Sequence, residues 1–254
     1  MEQIILIIAA LITSSISAVI GMGGGVVLLG IMAILIPEGY MVVALHGIIQ
    51  MFSNGTRTFV FRQHLKRKLI SEYFFGALIG LSLSIFIVYG LMHLYEVNSA
   101  NKINFDYLKP IIGIYILWYL YLKGAKKEQK NKLFIIVGII SGFSSIFVGA
   151  VGPLIAPFFI RKDLKKESVI ANKAACQIIT HIGKIPIFMY FFNFRYSEHY
   201  TILLPLIISV YIGTNIGKKL LGKLSENTFK LLFKISLTLI AMRLVLGEFL
   251  FIII

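Results

Sequence analysis

SAVIGMGGGVVLLG, residues 17–30, places four glycines within five positions of an otherwise apolar stretch, and its reading decides the fold. Glycine inside a helix costs about 1 kcal/mol relative to alanine, so four together end any helix. A phosphate-cradling loop does not fit: no Gly-Lys-Ser/Thr follows, no strand pattern flanks the run, and no acidic partner lies downstream. The run is a break inside apolar chain.

The 254-residue chain is 58% hydrophobic and only 14% charged, against roughly 25% charged residues in soluble domains. Several runs exceed the ~18 apolar residues that span a hydrocarbon core. The composition is that of an all-α, polytopic membrane protein. The start, MEQIILIIAALITSS, carries Glu2 and lacks the basic region of a signal peptide, so it is read as mature structure. Cys176 is the single cysteine, which excludes an intrachain disulfide and a cysteine metal site. The net charge of +14 resides in short clusters between apolar runs, a pattern of membrane orientation and not of nucleic-acid binding.

Those clusters are RQHLKRK (62–68), KGAKKEQKNK (123–132), RKDLKK (161–166) and KKLLGK (218–223) with Lys230 and Lys234 beyond it. The positive-inside rule makes all four cytoplasmic, and the Lys/Arg-poor connections at 37–40, 96–106 and 193–199 external. Six spans thread through these assignments: 40–61, 73–95, 108–122, 169–191, 200–217 and 229–250. Residues 3–36 and 133–160 remain, each too long for one span and too short for two. Segment 133–160 begins and ends beside cytoplasmic clusters, so it is expected to be a re-entrant hairpin with its tip at FVGAVGPLIAP, broken by Gly149, Gly152 and Pro153. By the same logic residues 3–36 enter from outside, break at GMGGG and return, leaving both termini outside.

A hairpin plus three spans thus occurs twice, in residues 1–122 and 133–254, joined by a basic linker at 123–132. The odd number of crossings inverts the second copy, and inverted repeats are a transporter architecture. SISAVIGMGGGVVLLG sets against SSIFVGAVGPLIAP, and QMFSNGTR (50–57) sets against QIITHIGK (177–184). At one offset Gln50 pairs with Gln177, Asn54 with His181 and Arg57 with Lys184.

Residues at i, i+4 and i+7 share a helix face, so each set forms a strip of hydrogen-bonding groups ending in a cation. A buried Arg or Lys faces an internal cavity or snorkels to the interface. Arg57, five residues before Arg62, admits either reading; Lys184 lies deeper. All eleven Asp and Glu fall in loops or near segment ends, which leaves no midplane carboxylate for a cation. Breaks at Gly21, Gly23, Gly24 and Gly25, and at Gly149, Gly152 and Pro153, would present backbone N–H groups at helix starts. Two tips beside two cationic strips make an anion site. His181 is a candidate proton carrier or a neutral hydrogen-bonding group. His46, His64, His93 and His199 are scattered without metal spacing and read as interface or packing residues. Pro186 and Pro205 are expected to kink their helices.

Through GMGGG at 21–25, GAVGPLIAP at 149–157 and the two-part layout, which covers nearly the whole chain, the sequence resembles the TauE/SafE family. This is the sulfite exporter or anion permease group, also called toluene sulfonate uptake permeases. The resemblance implies a prokaryotic-type plasma-membrane carrier for sulfite, sulfonates or related small anions, with the substrate between two inverted halves. Two departures, the delay of a proline to Pro37 and Ala150-Val151 in the second tip, leave the substrate open.

The expectation is a secondary transporter of a small anion working by alternating access, with export of a sulfur oxyanion leading. No cofactor is implied; the partners are the anion and the lipid bilayer, with no nucleic acid. An anion-selective pore is the alternative, followed by a membrane-protein insertion factor. An intramembrane enzyme is disfavoured, since the chain has no HExxH and no paired midplane carboxylates.

Overall fold

The computed structural model describes residues 2–103, 114–122, 133–149, 151–159 and 164–253. The linker 123–132, the start of the 108–122 span and residues 161–163 of the third basic cluster lie outside the described residues. Every regular element among the described residues is helical. In chain order these are α1 (Glu2–Ile20), α2 (Gly24–Leu35), α3 (Gly39–Val60), α4 (Arg67–Leu94), α5 (Leu133–Val148), the single turn α6 (Gly152–Ile155), α7 (Lys166–Phe191), α8 (Tyr200–Leu221) and α9 (Glu226–Ile253). Residues 114–122 are helical and widen into a π turn at Trp118–Leu122.

Both long apolar segments break where their glycines fall. α1 stops at Ile20; Gly21 and Gly23 then take φ values of 84° and 95°, the left-handed region open to glycine at little cost. The Gly21 N–H closes the last turn on the Ser17 carbonyl at 2.9 Å, and α2 starts from Gly23. α5 stops at Val148 before Gly149 at φ 73°. The chain then makes one α turn with Pro153 near its start and a 3-10 turn, Ala156–Phe159. The arms are unequal. α1, at 19 residues or about 28 Å, approaches the full hydrocarbon thickness, whereas α2, at 12 residues, covers about 18 Å.

Pro186 and Pro205 sit inside helices that continue through them. Three helical stretches, Glu2–Ile20, Arg67–Leu94 and Tyr196–Leu221, are long and apolar enough to cross a membrane. The outward stripe of α1, Ile4, Ile8 and Ile12, is at least half exposed, as a lipid-facing surface is.

Small residues set the closest helix contacts. A Cβ on Gly76 or Gly80 of α4 would overlap the Ile135 or Ile139 carbonyl of α5; one on Gly138 or Gly142 would overlap the Tyr73 or Ala77 carbonyl of α4. The numbering rises together on both partners, so α4 and α5 run parallel. Gly213 and Gly217 of α8 meet the Leu11 and Ser15 carbonyls of α1 in the same way, and Gln3 donates to the Thr201 carbonyl at 2.8 Å. α1 and α8 are therefore parallel as well. Glycines four residues apart let membrane helices approach to backbone contact. Tyr73 hydroxyl to Ser141 hydroxyl is a buried polar tie across the α4–α5 seam.

α3 and α7 cross antiparallel. The Lys66 amide N–H, just beyond α3, donates to Asn172 Oδ1 at 2.6 Å, while the His46 and His181 rings meet further along. Three of the basic clusters gather at one end. Ser168 Oγ donates to the His64 carbonyl at 3.0 Å, Lys166 Nζ donates to the Leu224 carbonyl, and a hollow there is lined by Arg62, His64, Glu167 and Lys218. Tyr40, Ser99, Phe191, Phe194 and His199 gather at the other.

Candidate functional site

α3 and α7 turn polar faces toward each other in the middle of this apolar assembly. On α3 the buried polar residues are His46, Gln50, Ser53, Asn54 and Arg57; on α7 they include Lys173, Gln177, Thr180, His181 and Lys184. Each of the five on α3 is matched by a polar residue on α7 127 positions further along the chain, 46 with 173 through to 57 with 184. By helical rise Gln50 and Gln177 each lie about 16 Å from the start of their helix, half the thickness of a bilayer core.

Between the faces is a cavity of about 20 Å³, room for roughly one water. Ser17, Met22, Gly23, Gly25 and Val26 line it from the first break, Gly152 and Pro153 from the second, His46, Gln50 and Arg57 from α3, and Lys173, Gln177 and His181 from α7. No Asp or Glu among the described residues lines it.

The glycines fit the glutamines to the broken helices. A Cβ on Gly25 would stand 3.0 Å from Gln50 Oε1, and one on Gly152 would stand 2.9 Å from Gln177 Nε2. Each side-chain amide thus lies against the backbone of one break, which any larger residue would push away. His46 Nε2 is 2.7 Å from the Gly25 carbonyl oxygen, and since a carbonyl only accepts, the ring nitrogen donates.

The cations have neutral partners. Arg57, 3% exposed, donates from Nη2 to Asn54 Oδ1 at 2.8 Å and from Nε to the Ser53 carbonyl at 3.3 Å; it lines the cavity and does not snorkel. Lys173 Nζ donates to the Gly21 carbonyl at 3.1 Å and to Gln177 Oε1 at 3.2 Å. Lys184 Nζ donates to the Gly149 carbonyl at 3.2 Å. α7 therefore carries two ammonium groups about 16 Å apart along its axis, each against a left-handed glycine at one break. Carbonyl dipoles satisfy the N–H groups but leave the charges uncancelled, and charge buried in low dielectric is costly without a counter-charge.

Of the residues expected from the sequence, Gly23, Gly25, Gln50, Arg57, Gly152, Pro153, Gln177 and His181 line the cavity. Gly21 and Gly149 contribute carbonyls to lysines, not N–H groups to the cavity. Gly24 is a packing residue: its Cβ would overlap the Thr13 carbonyl and stand 2.7 Å from Ser17 Oγ. Asn54 and Lys184 stand behind the lining, Asn54 braced on Arg57 with its Nδ2 buried and unpartnered. Lys173 and His46 were not expected there. The signal was present in the 127-residue offset, which pairs them with each other, and in the four-residue spacing from each to its glutamine.

Residues 6–244 match the family model described as Sulfite exporter TauE/SafE, and the chain belongs to that family. No curated protein and no solved structure matches it significantly. The family is one of membrane transporters, and the long apolar helices agree with a multi-pass membrane protein.

Proposed function

We propose that this member of the TauE/SafE family is a secondary transporter that moves a small anion, sulfite or a related sulfur or organic anion, by alternating access at the cavity between α3 and α7. The observation that carries the reading is the cavity's charge: Arg57 and Lys173 line it, Lys184 stands behind it, and no described carboxylate accompanies them. An anion supplies the missing counter-charge. The glutamine amides and the N–H groups at the start of α2 supply directed donors, and the helix dipole of α2 adds partial positive charge.

The helix directions support an inverted pair of repeats, 1–122 and 133–254. In such a pair, α1, α3 and α4 correspond to α5, α7 and α8. Equivalent spans α3 and α7 should then cross antiparallel, and the α1–α8 contact should reappear as α5–α4 with the same sense, as the glycine contacts have it. With the basic clusters cytoplasmic, the first break lies toward the inner face, where Gly21 packs on Ile170, Phe229 and Phe233. The second lies toward the outer face, where Gly149 packs on Leu29 and Val43. A cavity sized for about one water is too small for an anion without movement of its walls. Displacing one break and then the other would open it to each side in turn.

The test is uptake and binding of sulfite, thiosulfate, sulfate, sulfoacetate and simple carboxylates by the purified, reconstituted chain, with Arg57→Gln and Lys184→Gln beside the parent. Saturable flux with trans-stimulation, weakened in both variants, supports the carrier. Ohmic single-channel current would replace it with a pore, and parent-like binding of every anion by both variants would remove the site.

A further inference from the structure

The cavity has too many donors for most ligands, yet it also holds buried acceptors with nothing to accept. His46 donates from Nε2 to the Gly25 carbonyl, so in the neutral ring Nδ1 is a lone pair; the other backbone group facing the ring, the Gly149 carbonyl, is itself an acceptor and brings no hydrogen to it. His181 has both ring nitrogens buried without partners, and one of them is an acceptor in the neutral imidazole. The rings meet edge to face, centroids 6.5 Å apart, and both residues line the cavity. An anion that brings only acceptor oxygens satisfies Lys173, Arg57 and the glutamine amides and leaves these lone pairs orphaned, an arrangement buried sites avoid.

We propose that the cavity takes its anion together with one proton, held in the hydrogen bond between an anion oxygen and the His46–His181 pair, so that transport is anion–proton symport. The inference rests on the anion-transport reading above. The proton enters with the anion, either as the O–H of a protonated oxyanion or on an imidazole nitrogen, and leaves with it; no bond other than that N–H or O–H forms or breaks.

Arg57 on α3 and Lys173 and Lys184 on α7 are the charged groups around the pair. α2 and α6, which close the cavity from the two breaks, carry no titratable side chain. The anion and its proton cross the hydrocarbon with less net charge than the anion alone.

The experiment uses the full chain in proteoliposomes, with the membrane potential clamped and a pH indicator trapped inside, supplied with sulfite or with methanesulfonate. Methanesulfonate has no proton to lose near neutrality, so any proton moving with it is carried by the protein. The expected result is internal acidification of about one proton per anion taken up. An inward acid gradient of one pH unit then accumulates the anion about tenfold. His46→Gln and His181→Gln, whose side chains cannot take up a proton, are expected to lose the gradient-driven accumulation and to lower the number of protons moved per anion in whatever uptake remains. Anion uptake by the parent without proton movement would overturn the symport and leave the anion site standing. No anion uptake at all would overturn both.

Discussion

Lys173→Gln is the perturbation whose size follows most directly from the geometry. Lys173 is buried to 2% exposure and donates to the Gly21 carbonyl and to Gln177 Oε1. Glutamine keeps a donor for these neutral acceptors, so what the substitution removes is the charge. A hydrogen bond to a charged group contributes about 1.5–3 kcal/mol net. The Coulomb attraction of unit charges at 4 Å is about 4 kcal/mol at an effective dielectric of 20, which bounds the loss from above. The dissociation constant of the anion is therefore expected to rise roughly 10- to 150-fold. The assay is equilibrium binding of sulfite to the purified chain in nanodiscs, with Lys218→Gln as the control. Lys218 is exposed in the hollow at the basic end, and its loss is expected to leave the constant within about twofold. Equal affinity in Lys173→Gln and parent, with Gly21 undisturbed, would refute the argument that an anion is the counter-charge of this lysine.

Further predictions concern the backbone and the helix seams. Gly21→Ala places a side chain at φ 84° with its Cβ 3.2 Å from Phe233, so it should cost about 1–2 kcal/mol and lower the thermal midpoint of the purified protein. Gly55→Ala, a helical glycine with nothing within 4 Å, should leave the midpoint unchanged or raise it; equal midpoints for the two would contradict the reading. Gly80→Val drives a Cβ into the Ile139 carbonyl and to 2.7 Å from the Phe143 backbone nitrogen, and should abolish the monodisperse folded peak in size-exclusion chromatography. Gly90→Val on the same helix meets nothing and should preserve it. Tyr73→Phe leaves the Ser141 hydroxyl without its cross-seam partner and should cost about 0.6–1.7 kcal/mol in denaturant or thermal unfolding, with anion affinity unaltered.

The breaks at Gly21–Gly23 and Gly149 were legible in the sequence because glycine there has no better use in an apolar run. Helices lie within six residues of the expected bounds for five of the six spans, because apolar length and basic ends bound them; the start of the sixth, 108–122, lies outside the described residues. The strips Gln50–Arg57 and Gln177–Lys184 were legible from helical spacing. Lys173 was not, since only the start of α7 at Lys166 places it about 10 Å inside the helix and away from the basic end. His46 was hidden for a related reason: a lone histidine on an apolar helix reads as packing until its partner, the Gly25 carbonyl, arrives from another element. Gly24 and Gly25 are neighbours of one type, yet one packs on α1 and the other admits Gln50, a division made by tertiary direction alone. The glycine pairs 76/80, 138/142 and 213/217 are visible as spacings, but which helix each meets depends on how the two halves dock.

The central claim is that an anion site between the two breaks is reached alternately from either face. Ser17 lines the cavity, and Cys176 is the single native cysteine, so Ser17→Cys in a Cys176→Ala background gives one reporter thiol. Its labelling by a membrane-impermeant methanethiosulfonate in oriented proteoliposomes, reagent on one face at a time, is the most direct measurement. The account predicts labelling from each face, slowed at least severalfold by sulfite or another transported anion. Labelling from neither face, or at rates no tested anion changes, would contradict it.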